Sequence, residues 1–242
     1  MSDELDQLLM NLKLKRLREI IPQELAWAEK KSPSYTEFLC RILRQEYQSQ
    51  QDRFLDCRIR RSKLPERWSL KTFPWKKQPG VDRKTIEQLG ELDFVARGSN
   101  IVLIGPTGVG KTGIASALLL QALYRGYRGR FVKAQDLFDE VYTTLADRST
   151  RKLLNHLARL DLLLIDEMSY LNLRPEQCNI FFKLMDERYQ TRKATIITTN
   201  LDYEEWYAFL GQKDMVSALL DRLRHRCQTI KIDGPSLRDP EQ

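Results

Sequence analysis

The first sixty residues show apolar side chains at intervals of three and four positions, which is the period of an amphipathic helix. The pattern predicts one helix that ends near Pro22 and a short second helix from Pro22 through Trp27. A third helix follows Ser34, which has the capping-box spacing to Glu37 and opens an apolar stripe of about seven turns that ends near Lys63. We therefore expect residues 1–64 to form a small helical module, whose apolar face is completed by a neighbouring subunit.

Prolines and large aromatic residues mark the next stretch, residues 65–97. They are Pro65, Trp68, Phe73, Pro74, Trp75 and Pro79. This composition predicts an irregular linker that packs its aromatic side chains on the following domain. Near its end, Asp82 is expected to cap a helix that runs through Leu89.

After Gly98 short apolar runs alternate with helical patterns. The predicted strands cover residues 101–104, 130–133, 161–165, 194–200 and 228–232. Such alternation predicts an α/β domain over residues 98–242, in which a five-stranded parallel sheet is covered by helices on both faces. Ligands of these sheets bind outside the carboxyl ends of the strands, so the residues that follow each strand are the candidates for chemistry.

A glycine-rich segment follows the first predicted strand without a gap and opens a helix that runs to Tyr124. It reads Gly105, Pro106, Thr107, Gly108, Val109, Gly110, Lys111 and Thr112. This spacing is that of a P-loop, whose backbone N–H groups converge on phosphate oxygens. Lys111 is expected to reach the β- and γ-phosphates of ATP, and Thr112 to complete the shell of a nucleotide-bound Mg²⁺ ion. A chance match is the alternative, and the strand before the turn and the helix after it disfavour that alternative.

Polar side chains end the third and fourth predicted strands, so they should meet the P-loop at one edge of the sheet. Asp166 is expected to hold Mg²⁺ through water, and Glu167 to polarise the water that attacks the γ-phosphorus. Two acids at a strand end are common by themselves, and the P-loop upstream favours the catalytic interpretation. Asn200 is a candidate to orient the same water and to sense the γ-phosphate, although asparagine is also an ordinary turn former.

The net charge of the chain is +7, and residues 41–84 alone carry 13 Lys/Arg against 5 Asp/Glu, a net charge of +8. Nucleic acid is therefore a candidate partner, and a solvated basic surface is the alternative. The candidate contacts are Arg58, Arg60, Arg61, Arg148, Arg151 and Lys152.

The four cysteines form no C-x-x-C pair and the chain has only two histidines, which disfavours disulfides and any metal site other than nucleotide Mg²⁺. No window approaches 18 apolar residues, and the first residues are acidic where a targeting peptide would be basic. We expect a cytoplasmic protein with no membrane partner.

Several guanidinium groups crowd the end of a predicted helix in residues 217–226. A solvated helix end, favoured by the helix dipole, is one interpretation. In a nucleoside triphosphatase that assembles into rings or helices, however, an arginine of one subunit can stabilise the transition state at the γ-phosphate of its neighbour.

Four segments together resemble the AAA+ ATPases of the IstB type, which are helper proteins of insertion-sequence transposition and relatives of the helicase loader DnaC. The segments are Gly-Pro-Thr-Gly-Val-Gly-Lys-Thr, Leu-Leu-Leu-Ile-Asp-Glu, Ile-Ile-Thr-Thr-Asn and Leu-Leu-Asp-Arg-Leu-Arg-His-Arg. The resemblance covers residues 79–238, and the basic helical N-terminal module also fits an IstB-like helper. It implies an AAA+ P-loop NTPase fold, and because only ten residues follow Ile232, the helical lid domain of most AAA+ proteins is expected to be lacking.

The resemblance also implies a role for each matched residue. Residues 105–112 would be Walker A, Asp166 and Glu167 Walker B, Asn200 sensor 1, Arg222 the arginine finger and Arg238 sensor 2. The implied activity is hydrolysis of ATP to ADP and phosphate with Mg²⁺. The implied partners are duplex DNA, further copies of the chain in a ring or helical filament, and the transposase of the same insertion element.

Two other functions stay open on the sequence. A replicative helicase loader like DnaC would share every ATPase residue and differ in what its N-terminal module binds. An ATP-gated scaffold with negligible turnover would share the nucleotide site but not the hydrolysis.

Overall fold

The computed structural model describes residues 3–211 and 213–238. The chain divides into two compact units, Met1–Cys57 and Arg58–Gln242. Within the described residues, no helix has both the length and the apolar character that crossing a bilayer requires.

The first unit is built from helices α1 (Asp3–Asn11), α2 (Lys15–Lys31) and most of α3 (Tyr35–Arg61). Its apolar core consists of Leu9, Leu17, Ile20, Ile21 and Ile42. The buried carboxylate of Glu46 on α3 accepts a 2.8 Å hydrogen bond from the backbone N–H of Leu17. Because the first N–H groups of a helix have no partner within it, this bond satisfies the start of α2 and holds it against α3.

The helix boundary predicted at Pro22 is wrong, since Pro22 lies inside α2. The chain breaks earlier, where Lys13 has a left-handed backbone with φ of 57°. A proline inside a helix gives up one backbone hydrogen bond. The buried side chains of Ile21 and Glu24, on either side of the proline, keep the helix continuous across it.

Two predicted helix starts are confirmed. The hydroxyl of Ser34 accepts a 3.2 Å hydrogen bond from the N–H of Glu37 at the start of α3. The carboxylate of Asp82 accepts bonds from the N–H groups of Lys84 and Thr85. In both places a side-chain oxygen satisfies backbone donors that the first turn leaves free.

The second unit contains the other elements. Its helices are α4 (Arg83–Leu89), α5 (Asp93–Arg97), α6 (Lys111–Tyr124), α7 (Ala134–Asp147), α8 (Thr150–Ala158), α9 (Pro175–Gln190), α10 (Trp206–Leu210) and α11 (Lys213–His225). Its strands are β1 (Asn100–Ile104), β2 (Gly129–Lys133), β3 (Leu162–Met168), β4 (Ala194–Thr199) and β5 (Cys227–Lys231).

The five strands form one parallel sheet in the order β2-β3-β4-β1-β5, which confirms the predicted fold class. Alternate residues of β1 and β3, together with Val132 of β2 and Ile197 of β4, pack with α7, α8, α9 and α11 in one apolar cluster. Helix α6 also lies against β1, β3 and β4. Because successive side chains of a strand face opposite sides of the sheet, we assign α6 to the face opposite to this cluster. One detail differs from the prediction, because β3 does not end at Ile165 but continues through both acids to Met168.

The linker aromatics pack on the domain that follows them, as the sequence predicts. Phe73 is buried, and its ring centroid lies 4.6 Å from that of Trp75. A Cβ atom added to Gly110 would lie 2.8 Å from Cζ of Phe73, and one added to Gly113 would lie 3.5 Å from Trp68. The P-loop and the first turn of α6 are therefore covered by side chains of the linker.

Arg188 on α9 is a buried cation at the amino edge of the sheet, 1% exposed. Its guanidinium donates to the carbonyls of Leu157 and Leu160 at 2.7 and 3.0 Å, to the hydroxyl of Thr195 at 3.0 Å and to the carbonyl of Ala194. Burial lowers the pKa of Arg188 to about 9, so the group is still charged at neutral pH. One side chain thus satisfies the end of α8 and the start of β4 together.

We expect Arg188→Met to lower the free energy of unfolding by about 3–5 kcal/mol, because it leaves several buried acceptors without a donor. Urea denaturation followed by circular dichroism measures the change. Lys183→Met is the matched control, since Lys183 is exposed on the same helix. Equal stability of the two variants would contradict a structural role for the Arg188 bonds.

Candidate functional site

A cavity of about 790 Å³ lies at the carboxyl edge of the sheet. Its lining includes the predicted site residues Thr107, Gly108, Gly110, Lys111, Thr112, Asp166, Glu167, Asn200 and Arg238. The structure therefore brings together residues from the P-loop, β3, the end of β4 and the tail that follows β5. Arg222 does not line this cavity.

The P-loop has the backbone that its glycines permit. Gly108 and Gly110 have φ of 88° and 93°, and Gly110 precedes the first residue of α6. These left-handed conformations strain any residue with a Cβ atom. The loop ends at the amino terminus of the fourteen-residue helix α6. Free N–H groups and the helix dipole favour an anion at this point.

The ammonium of Lys111 is held by the loop itself. It donates to the carbonyls of Gly105 and Pro106 at 2.7 and 2.6 Å. Burial lowers the pKa of Lys111, the charge of Asp166 opposes the shift, and the charge of Arg238 adds to it. Because a phosphate would favour the ammonium form, an anion in this cavity would reverse the shift.

Asp166 is buried at the centre of the site, 1% exposed, and accepts from two hydroxyl groups. The Thr112 hydroxyl donates to it at 2.9 Å and the Thr198 hydroxyl at 2.6 Å. Burial raises the pKa of Asp166, the two hydrogen bonds oppose the shift, and the charge of Glu167 adds to it. A cation beside Asp166 would relieve the cost of the buried negative charge.

The donors at this point fit a Mg²⁺ ion, which prefers hard oxygen ligands and keeps several waters. Thr112 and Asp166 supply a hydroxyl and a carboxylate in contact with each other. Among the described residues no group of three or more histidines, cysteines or acids is placed to hold a metal alone. A metal at Thr112 and Asp166 would therefore need further ligands from a nucleotide and from water.

Glu167 points into the same cavity because β3 is irregular at this position. The pairing of β3 with β4 shifts register between Ile165 and Met168, and Glu167 has a φ of 59°. Consecutive strand residues otherwise face opposite sides of a sheet, and a bulge re-aims them. The N–H of Glu167 donates to the Thr198 hydroxyl at 2.9 Å, so one hydroxyl bridges Glu167 and Asp166.

Lys133 at the end of β2 pairs with the carboxylate of Glu167 at 3.2 Å. The hydrogen bond and charge of Glu167 raise the pKa of Lys133. Both side chains are 52% exposed, so the pair is weak and water competes for both partners. Lys133 thus contacts Glu167 at the rim of the cavity but leaves its carboxylate free to move.

Sequence reasoning missed Thr198 and Lys133. Thr198 precedes Asn200 by two positions, so period-two alternation offered a signal that it shares a side with Asn200. Lys133 is the register partner of Asp166 across β2 and β3. That neighbourhood depends on the strand order, which the pattern of the sequence does not contain.

The structure places Arg222 elsewhere. It lines a separate pocket of about 260 Å³ with Asn100, the first residue of β1, and its Nε lies 3.1 Å from a carboxylate oxygen of Asp186. The P-loop follows the other end of β1, roughly 13 Å away along the strand. Arg222 therefore lies towards the amino edge of the sheet, and the nucleotide cavity lies at the carboxyl edge.

A second charged surface surrounds a pocket of about 780 Å³ at the junction of α7 and α8. It is lined by the cations Arg128, Arg148, Arg151, Lys152 and Arg159, and we call it the basic cluster. Arg128 pairs with Asp161 at 3.4 Å. The other four form no ion pair with a carboxylate in the part of the chain that the structure describes. The cluster thus presents unneutralised positive charge to solvent.

The long basic stretch from residue 41 to residue 84 is partly neutralised by contrast. Arg41, Arg53 and Arg83 pair with nearby glutamates at 2.5, 2.9 and 2.7 Å. Arg58 donates its Nε to the carbonyl of Leu123 at 3.2 Å. In the part of the chain that the structure describes, the arginines at the end of α3 without such a partner are Arg60 and Arg61, both exposed.

A model of the IstB-like ATP binding protein family matches residues 7–242. The chain is 35% identical over 239 residues to the putative ATP-binding protein of insertion sequence IS21 from Pseudomonas aeruginosa, covering 99% of this chain and 90% of the relative. It is 36% identical over 205 residues to the corresponding protein of IS5376 from Geobacillus stearothermophilus, covering 85% and 81%.

A solved structure of the DnaC helicase loader shares the fold, with a TM-score of 0.54 and 24% identity over 62% of this chain and 87% of that chain. The P-loop at the end of β1, the acids of β3 and the parallel sheet are the features of an AAA+ P-loop NTPase. The chain belongs to the family of IstB-like ATP-binding proteins of insertion sequences.

Proposed function

We propose that the chain is a Mg²⁺-dependent ATPase that assembles on duplex DNA with ATP bound and recruits and stimulates the transposase of the same insertion element. The observation that carries the catalytic part is the bridge through Thr198, which joins Asp166 and Glu167 in the cavity that also holds Lys111. Binding groups and a candidate base thus face one space large enough for a nucleotide.

In the proposed reaction, Lys111 exchanges the carbonyls of Gly105 and Pro106 for phosphate oxygens. Thr112 and Asp166 would hold Mg²⁺, and the ion would supply positive charge beside the phosphates. Glu167 leaves Lys133 and accepts a proton from the attacking water, whose oxygen bonds to the γ-phosphorus while the bond from that phosphorus to the bridging oxygen breaks and ADP leaves. Lys111 and Glu167 start these steps from the contacts that they make in the structure, to Gly105 and to Lys133.

Two further residues complete the proposed site. Asn200 is exposed at the end of β4 and lines the cavity, where its amide would orient the attacking water. Arg238 lines it from the tail, where its charge would stabilise the γ-phosphate. The position of Arg222 supports a role in trans, because a side chain towards the opposite edge of the sheet does not face the cavity of its own subunit.

The DNA part of the proposal rests on charge and on the relatives. The basic cluster offers four cations that form no ion pair with any described carboxylate, and the named relatives are ATP-binding proteins of insertion sequences. We assign residues 1–64 to self-association and to DNA or partner contact, residues 65–97 to a linker, and residues 98–242 to the ATPase. A helicase loader is the second candidate, because DnaC shares the fold. It would prefer single-stranded DNA, whereas a transposition helper would prefer duplex.

We expect Lys111→Ala to abolish ATP binding, because it removes the cation that meets the phosphates. Glu167→Gln should bind ATP normally and hydrolyse it slower by about two to four orders of magnitude. Equilibrium binding of a fluorescent ATP analogue and steady-state phosphate release measure the two effects. Glu176→Gln, an exposed acid at the start of α9, is the matched control. Normal turnover in Glu167→Gln would remove Glu167 as the base.

We expect binding to duplex DNA to weaken steeply with salt, and to be tighter than binding to single strands. Arg151→Gln with Lys152→Gln should lower the slope of log K against log salt concentration by about two, since each lost phosphate contact removes about 0.9. Gel shifts with ATP at several salt concentrations measure this slope.

Arg60→Gln with Arg61→Gln is the matched pair from the end of α3. If only this second pair flattens the slope, DNA lies on α3 and not on the basic cluster. If neither pair of substitutions changes the salt slope, neither surface contacts DNA and both are solvated faces. Tighter binding to single-stranded than to duplex DNA would favour the helicase loader.

The third expectation is that Arg222 completes the site of a neighbouring subunit. Arg222→Ala should bind ATP almost normally and lose roughly a thousandfold or more in turnover, because an arginine finger acts on charge that develops in the transition state. A mixture with Lys111→Ala, which keeps Arg222, should regain activity. Arg224→Ala on the same helix is the control. An inactive mixture in which both variants assemble would show that Arg222 does not act between subunits.

A further inference from the structure

Two segments far apart in the sequence cover the outer side of the P-loop. One is the end of the linker, residues 73–80, and the other is the tail after β5, residues 232–238. A Cβ atom on Gly108 would lie 2.3 Å from the Ser236 hydroxyl, and one on Gly110 would lie 3.0 Å from Leu237. The loop is therefore packed between the linker and the tail.

Gln78 joins all three segments with one buried amide, 1% exposed. Its Nε2 donates to the carbonyl of Val109 in the P-loop at 3.0 Å and to the carbonyl of Pro235 in the tail at 3.1 Å. Its Oε1 accepts from the N–H of Gly80 in the linker at 3.2 Å. Both protons of the amide nitrogen and its oxygen are thus used.

Close packing around this amide leaves no room for larger neighbours. A Cβ atom on Gly234 would lie 1.7 Å from Oε1 of Gln78, and one on Gly80 would lie 1.8 Å from the carbonyl oxygen of Asp233. Such approaches require glycine at both positions. The linker and the tail therefore meet backbone to backbone beside the P-loop, with the amide of Gln78 between them.

Over its described residues, 232–238, the tail forms neither helix nor strand and is held to the domain by a few hydrogen bonds. Its backbone bonds to the rest of the unit come from Ile232 to Ile104 at 2.8 Å, from Asp233 to Gly80 at 3.3 Å and from Leu237 to Gly108 at 2.9 Å. Between Asp233 and Leu237, Gln78 adds a side-chain bond from the linker to Pro235, and within the tail the Ser236 hydroxyl accepts from the N–H of Arg238 at 3.2 Å. Arg238 follows directly and lines the nucleotide cavity.

We propose that Gln78 is a positioning residue that fixes the tail against the P-loop and so sets Arg238 at the nucleotide cavity. The proposal deepens the proposed ATPase function and rests on it. Gln78 touches neither phosphate nor water in this role; it acts through Pro235 and Val109. Loss of its amide would free the tail at Pro235 and so move Arg238 away from its place at the cavity.

Glutamine suits this position because only a side chain with two donors and one acceptor meets two carbonyls and an N–H at once. Methionine has a similar length and leaves all three backbone groups unsatisfied. Glutamate would place a carboxylate against two carbonyl oxygens, and its protonated form would regain one donor. The two substitutions therefore differ in how their effect depends on pH.

The test is a double-mutant cycle of Gln78→Met and Arg238→Ala in the full chain, read by binding of a fluorescent ATP analogue. Each single change is expected to weaken binding about tenfold, the effect of losing one or two hydrogen bonds. The double variant is expected to bind no more weakly than either single variant, because both changes remove the same interaction. Gln88→Met, an exposed position on α4, is the control for the substitution itself.

Losses that multiply in the double variant, or normal binding by Gln78→Met, would overturn the proposal. Normal binding by Arg238→Ala with weak binding by Gln78→Met would also overturn it, since Gln78 would then act on the loop alone. If Lys111→Ala bound the analogue as tightly as the unaltered chain, the ATP site itself would be wrong, which is a separate result.

If circular dichroism shows that Gln78→Met does not fold, Gln78→Glu provides a second test of the proposal. Its binding is expected to tighten between about pH 8 and pH 6 as the buried carboxyl gains its proton, relative to the unaltered chain over the same range. A ratio of the two affinities that stays constant with pH would count against the hydrogen bonds of Gln78.

Discussion

The hydroxyl of Thr198 is the contact on which the geometry of the candidate site depends. It donates to the buried carboxylate of Asp166 and accepts from the N–H of Glu167. A carboxylate this deep in the sheet is costly unless donors surround it, and Thr112 supplies the second one. Three elements, α6, β3 and β4, are therefore tied together at the point where the chain places its acids.

The glycines of the P-loop meet two demands at once. Positive φ values at Gly108 and Gly110 let the loop turn its N–H groups towards an anion. The same glycines lie so close to Phe73, Ser236 and Leu237 that a Cβ atom would clash. Phosphate binding requires the positive φ values but not these close contacts. In this chain the loop is therefore also a packing surface for the linker and the tail.

Local patterns explain which parts of the fold the sequence could predict. Apolar runs and the spacing of residues 105–112 indicated five parallel strands and a P-loop, because both signals lie within a few consecutive residues. Pro22 misled because buried neighbours hold α2 together across it. Thr198, Lys133, Gln78 and Arg188 act across strand order and tertiary packing, which a single sequence does not record.

In the proposed function the nucleotide site lies at the carboxyl edge of the sheet and Arg222 lies towards the amino edge, and the direction of the strands explains this arrangement. The carboxyl edge collects free N–H groups, the P-loop and the acids, because parallel strands all end there. At the amino edge, Arg188 donates hydrogen bonds to the carbonyls at the end of α8 and the start of β4. At the same edge Asn100 donates to the carbonyl of Leu223 at 3.4 Å, next to Arg222 on α11. Arg222 shares a pocket with Asn100 at the start of β1, and the P-loop follows the opposite end of the same strand. If Arg222 takes part in hydrolysis as proposed, it would act on the nucleotide site of a second copy of the chain, and assembly would then be a condition of turnover.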